Sequence, residues 1–189
     1  MKSAVVISMA FLLSACISFG AKPPERLLRL TAAQTIAPGT AQSVAAGEAI
    51  TVLTPTVPSE LANNRVPVRS GNGVAYVKDA QWVDQPNRLF QSLLSEIIAA
   101  RTGRPVLSGR QFSFDPGARI TGELQAFGVD ESGGTALVIF DAAVARGTTI
   151  QTRRFEARVP VGVIEAEPVG AALNQAANQV AAEVADWLK

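Results

Sequence analysis

One thiol stands out in this 189-residue chain. Cys16 closes the stretch Phe11-Leu12-Leu13-Ser14-Ala15-Cys16. A free cysteine is ordinarily a small core hydrophobe. At the edge of an apolar leader it joins no core, which points to use of the thiol as a nucleophile. Other chemistry is excluded by composition. The chain has no histidine, which removes Ser-His-Asp and Cys-His catalysis and the usual zinc sites together. No Ser-x-x-Lys occurs either, so serine chemistry of the penicillin-binding type has no support. Ser70-Gly71-Asn72-Gly73 is Gly-rich, but Val74-Ala75-Tyr76-Val77 after it reads as a strand. A phosphate cradle should open a helix, so this is a turn between two strands. The acidic pairs Asp130-Glu131 and Glu165 with Glu167 lie in a Ser-Gly-Gly turn and before a helix, and read as solvated surface.

The residues before Cys16 say how the thiol is used. Lys2 gives a positive start, and Ala4 to Leu13 is apolar except for Ser8. That run fits the apolar region of a signal peptide and is too short for a spanning helix, which needs about 20 residues. Leu13-Ser14-Ala15-Cys16 resembles the lipobox of bacterial lipoproteins. The resemblance implies a diacylglyceryl group on the Cys16 sulfur, cleavage before Cys16 and acylation of the new amine. An ordinary secretory leader with a chance cysteine is the alternative. Residues 1–15 are thus expected to be a lipoprotein signal peptide. Residues 16–25, with Gly20 and Pro23-Pro24, are expected to form a short lipidated tether. Burial of acyl methylenes contributes about 0.8 kcal/mol each, and stable anchoring takes more than one chain. Ile17, Ser18 and Phe19 place no acid after the cysteine. By resemblance to enterobacterial sorting this favours the outer membrane, facing the periplasm, with inner-membrane retention as the other outcome.

With Lys2 removed, acidic and basic residues balance. A neutral chain does not suit a nucleic-acid partner. No second cysteine is present to form a disulfide in an oxidising compartment. Residues 26–189 are long enough for one domain standing on packing alone.

The pattern along that domain predicts an α+β fold. Residues 26–30 suit a short first strand and 31–47 a loop. Residues 49–53 read as a strand, and Pro58-Ser59-Glu60-Leu61 as one helical turn. Residues 65–69 and 73–78 form a hairpin, with Pro67 at an edge or bulge. Pro86 opens a helix whose Leu89, Phe90, Leu93, Leu94, Ile97 and Ile98 share one face, and Gly103 ends it. Val106-Leu107 is extended. Residues 118–128, 135–145 and 148–160 make an antiparallel meander. Val169, Leu173, Ala176, Val180, Val184 and Trp187 mark a last amphipathic helix, whose many alanines permit close approach. The expected architecture is a largely antiparallel sheet with two main amphipathic helices packed on one face.

These landmarks, in this order, resemble the ABC-type transport auxiliary lipoprotein family. The residues that carry the likeness are Ile50-Thr51-Val52, Val57-Pro58-Ser59-Glu60-Leu61, Val74-Ala75-Tyr76, and Trp82 shortly before the long helix. Many members have Tyr-Tyr-x-Leu near the N-terminus, where this chain has Leu27-Leu28-Arg29-Leu30. The resemblance implies a non-enzymatic component of an MCE-type lipid transport system. Its partners would be an MCE-domain substrate-binding protein with its ABC permease and ATPase, and a membrane reached through the lipid anchor. A symmetric homo-oligomeric ring is one arrangement this reading admits. No cofactor or metal is implied.

Two readings are open for Tyr76 and Trp82: core or sheet-edge packing, and an aromatic anchor in a partner interface, where such residues are enriched. Arg65 and Arg69 stand near them in sequence, as partner contacts or as ordinary solvated arginines. Two rival functions also remain. A lipid-binding carrier would need a cavity of several hundred Å³ between helix and sheet. A carboxylate hydrolase would need two acids converging in a cleft.

Overall fold

The computed structural model describes residues 26–108, 111 and 117–189. Cys16, the leader and the tether lie outside the described residues.

Seven strands form one sheet: β1 (Ile50–Val52), β2 (Arg65–Ser70), β3 (Gly73–Gln81), β4 (Val106–Leu107), β5 (Ala118–Asp130), β6 (Thr135–Arg146) and β7 (Thr149–Pro160). Two long helices are α1 (Pro86–Thr102) and α2 (Ala166–Trp187). A 3-10 turn spans Ser59–Leu61. The α+β class is as expected.

The meander β5–β6–β7 is antiparallel throughout. The other side of β5 is shared. Its start pairs with β1, in parallel, and β1 pairs with β4. Its end pairs with β2, also in parallel, and β2 carries β3. The sheet is therefore mixed, with the parallel pairs made by strands far apart in sequence. Pro67 does not sit on an edge strand, because β2 lies between β3 and β5. It sits where the β2–β3 register shifts, a place that spares its missing N–H. Residues 26–30 do not form a strand. Only Leu28 makes a bridge, to Trp82.

Strand alternation sends Ile120, Leu124, Phe127, Val138, Phe140 and Phe155 to one face, where both helices cover them. Helix α1 buries Phe90, Leu93, Leu94, Ile97 and Ile98. Its start follows from Pro86 in the first turn. Its end follows from Gly103, at φ 69°, whose N–H bonds Ala99 O at 3.1 Å. That left-handed geometry suits glycine and costs other residues roughly 1 kcal/mol. Helix α2 buries Val169, Leu173, Val180 and Val184 among small neighbours such as Ala176 and Ala177. Aromatic pairs fasten the layers. Phe90 meets Phe140 edge-on at 5.1 Å, and Phe155 meets Trp187 at 5.6 Å. Each such pair contributes about 0.5–1.5 kcal/mol beyond area burial. One hydrophobic cluster runs through helices and sheet.

Candidate partner-binding site on the first hairpin

The two prolines at 55 and 58 hold the chain extended and then release it into the 3-10 turn, which presents Glu60. Asn63 follows, and its carboxamide oxygen accepts from Arg65 N–H at 2.8 Å. Strand β2 then supplies Arg65 and Arg69, and β3 supplies Tyr76, directly opposite Pro67. The Arg65 guanidinium lies over the Tyr76 ring, 3.9 Å from its centre. The Tyr76 hydroxyl lies 3.4 Å from both Glu60 O and Asn63 Nδ2. Arg69 pairs with Glu60, its Nε donating to Oε1 at 2.7 Å. Its Nη2 donates to Gln125 O at 2.7 Å. Gln125 is the residue by which the β5–β6 register slips. A bulge leaves a backbone group out of the ladder, and Arg69 satisfies it.

The structure thus brings Arg65, Arg69 and Tyr76 together. It does not bring Trp82 to them. Trp82 is 1% exposed and packs against Phe127 at 5.3 Å. The aromatic-anchor reading of Trp82 is corrected to core packing, because a ring closed off from solvent offers no area to a partner. Its Nε1 is buried without a hydrogen-bond partner. Arg69 is mainly a clamp on Glu60 and the bulge. Among the described residues no carboxylate pairs with Arg65, whose guanidinium covers one face of the Tyr76 ring. The sequence reading missed Glu60 and Asn63. The available signal was an acid and an amide in the turn just before the hairpin.

This cluster shares the sheet face turned away from the helices with a lattice of ion pairs. Arg154 holds Asp141 through two hydrogen bonds of 2.6 Å. Arg158 bridges Asp130 at 2.8 Å and Glu156 at 2.7 Å. Asp130 is therefore paired, not freely solvated as its turn context suggested. Its carboxyl is pulled down to about 2, first by the Ser132 hydroxyl and then by Arg158. Asp141 is lowered chiefly by its hydrogen bonds from Arg154. Charges of both signs on an open face can match a polar protein surface.

No group of three or more metal-capable side chains gathers among the described residues. A concavity of about 330 Å³ lies on the sheet over Asp141, Ala143, Thr152 and Arg154; its lining is mixed, part polar and part apolar, and it is open to solvent. The helix–sheet seam, where a carrier's ligand would lie, is filled by fully buried side chains such as Leu173, Phe140 and Phe90. No helix among the described residues is long and apolar enough to cross a membrane.

The architecture is a mixed sheet covered on one face by two helices, with a charged open face that carries Tyr76. The model of the ABC-type transport auxiliary lipoprotein component family matches residues 29–185, and the chain belongs to that family. None of the curated proteins matches the sequence. Among solved structures, a protein from Xanthomonas campestris in the family DUF330 is 17% identical. The match covers 86% of this chain and 94% of that one, with a TM-score of 0.67. A second crystal structure, of an uncharacterized protein, is 14% identical over 79% of this chain and 97% of that one, also with a TM-score of 0.67. Both show the same fold. A dodecameric PelC variant from Paraburkholderia phytofirmans is more distant, with 10% identity, coverage of 76% and 95%, and a TM-score of 0.38.

Proposed function

We propose that this chain is the lipid-anchored auxiliary component of an MCE-type ABC lipid transport system, and that it acts by position. Residues 1–15 are the signal peptide, Cys16 carries the lipid, 16–25 are the tether, and 26–189 form the single working domain. The anchor is in the outer membrane and the domain faces the periplasm. The domain is non-enzymatic. It holds the MCE-domain substrate-binding protein, which works with its permease and ATPase, close to the membrane that receives or donates lipid. Energy comes from the ATPase.

The observation that carries this reading is the family match over nearly all of the described chain. Two physical points support it. A tether converts a weak contact into a lasting one by raising effective concentration. The half-buried Tyr76 and the exposed Arg65 over its ring supply, with the neighbouring charges, side chains of the kinds that anchor interfaces.

The test is chemical crosslinking in native membranes, followed by capture of this chain. Recovery of an MCE-domain protein with its permease and ATPase is the expected result. Recovery of none of them, with phospholipid retained on the extracted domain, would move the assignment to a lipid carrier.

A further inference from the structure

Leu27, Val74 and Val83 stand 49%, 45% and 48% exposed, and alternation along extended chain puts all three on the open sheet face. Val77 and Trp82 are buried in the core, so Val74, Tyr76 and Val83 turn the other way. Leu28 packs on α2, where a Cβ added to Gly170 would come within 2.7 Å of its Cδ2, so Leu27 also turns to the open face. Leu28 N–H donates to Gln81 O at 2.7 Å, and Val83 N–H donates to Leu28 O at 2.9 Å. Leu27 therefore stands beside Gln81 and Val83. Gln81 is the register partner of Arg65, whose guanidinium lies 3.9 Å from the Tyr76 ring centre. Val74 is the next residue on that face. The order along β3 is thus apolar at Leu27 and Val83, cationic at Arg65, then aromatic and apolar at Tyr76 and Val74.

Charge on this stretch differs from charge on the rest of the open face. Across β5 to β7, Arg154 and Arg158 are neutralised by Asp141, Asp130 and Glu156. Beside β3, Arg69 is neutralised by Glu60, and Arg88 by Asp84. Arg29, Arg65 and Lys78 pair with no carboxylate among the described residues. Arg29 shares the side of Leu27, and Lys78 that of Tyr76. The exposed acid among them is Asp79. Positive charge is in excess here, beside exposed apolar side chains, and calls for an acidic and apolar complement.

The backbone argues for a protein as the occupant. Strand β3 ends the sheet and pairs with β2 alone. Leu28 bonds only its last part, around Gln81 and Val83. Asp79, at φ 56°, separates that part from the stretch before it. From Gly73 to Lys78 the outer edge meets no other strand among the described residues. An open edge of this kind takes an extended peptide, with main-chain bonds giving affinity and alternate side chains giving specificity. A lipid surface offers no such pairing. Alternate side chains of an extended segment stand about 7 Å apart, as Tyr76 and Val74 do. We infer that the edge of β3 takes an extended segment of a partner protein, apolar at alternate positions, with a carboxylate among them that reaches Arg65. The inference rests on the proposed function, in which this domain holds an MCE-domain protein, and names the kind of segment it grips.

The test is photocrosslinking with the full-length chain in its own membranes. p-Benzoylphenylalanine replaces Val74, Val83 or, as control, Ile150. Ile150 is 72% exposed and shares the face of Arg154, but it lies on β7, across the sheet from β3. The joined peptides are sequenced by mass spectrometry. The expected product at Val74 and Val83 is a protein segment with Asp or Glu between alternating apolar residues, in at least about fivefold higher yield than at Ile150. Arg65→Gln should lower that yield about fivefold, with the thermal midpoint unchanged, and Arg65→Lys should restore most of it. Equal yield at Ile150, or a yield indifferent to Arg65→Gln, overturns the inference. So does a joined phospholipid, or a joined second copy of this chain. No product at Val74 or Val83, while capture from the same membranes still recovers the MCE-domain protein, overturns the inference and leaves the proposed function standing. A segment of the expected chemistry from a protein outside the transport system supports the β3 edge and overturns the proposed partner.

Discussion

The guanidinium of Arg65 lies 3.9 Å above the ring centre of Tyr76, on the sheet face that the helices leave open. Such a pair contributes about 0.5–1 kcal/mol at an exposed site. More important, it holds a flat aromatic surface and an unpaired charge in one fixed arrangement. Replacing Tyr76 with alanine should weaken association with the proposed MCE-domain partner about tenfold, or roughly 1.4 kcal/mol. Arg65→Ala should do nearly as much. The thermal midpoint of each variant should stay close to wild type. Titration of the purified partner by surface-based binding, beside a thermal melt, checks both points. Unchanged binding would remove this pair from the interface.

Trp82 should behave in the opposite way. Trp82→Ala empties a buried site against Phe127 and should cost about 3–5 kcal/mol. That lowers the thermal midpoint by about 10 °C for a domain of this size. Binding measured well below the melt should be retained. A variant that melts normally but fails to bind would restore Trp82 to the interface.

Gly128 meets the backbone of Pro67. A Cβ placed there would come within 2.4 Å of Pro67 O. Since Pro67 stands at the β2–β3 register shift, the strand cannot move aside freely. Gly128→Ala should destabilise by about 1–3 kcal/mol, read by urea denaturation. An unaltered midpoint would show that β2 is looser against β5 than its pairing indicates.

Acid should weaken the fold over a defined range. Asp130 is held at about 2 by Ser132 and Arg158. Asp141 is lowered by Arg154, and Asp186 by Lys189 and then Arg101. Each carboxyl titrates lower in the folded chain than its ordinary value of 3.8. Their stabilisation is complete above that value and is lost as pH falls through the folded one. With no histidine in the chain, no side chain at its ordinary pKa titrates between pH 5 and 8. Thermal midpoints should therefore be level across pH 5–8 and fall between about pH 4 and 2. Asp130→Asn should flatten the lower part of that fall. A midpoint that drops between pH 7 and 5 would contradict the assignment of these groups.

Local pattern carried much of this fold. The spacing of Phe90, Leu94 and Ile98 set the buried face of α1, and Gly103 set its end. The alternation through 118–160 set the meander, because neighbouring strands joined by short turns pair with each other. The partners of β5 on its other side were not legible. Pairing between distant strands depends on which edge is free after the meander forms, and no short-range pattern records that. Leu28 misled for a related reason. It sits in an apolar run like a strand, yet its backbone bonds only around Trp82 and its side chain packs on α2 at Gly170. For the site, Arg65, Arg69 and Tyr76 came together as their hairpin placement implied. The role of Arg69 was hidden because its two acceptors, Glu60 and the carbonyl of Gln125, meet only once β2 lies on β5.

The whole account turns on what is bonded to the sulfur of Cys16. The most direct measurement is mass spectrometry of the N-terminal peptide from protein isolated from its own membranes. The account predicts a chain that begins at Cys16 and carries a diacylglyceryl thioether and an acylated amine. A free thiol at Cys16, with residues 1–15 still attached or removed at some other bond, would contradict it.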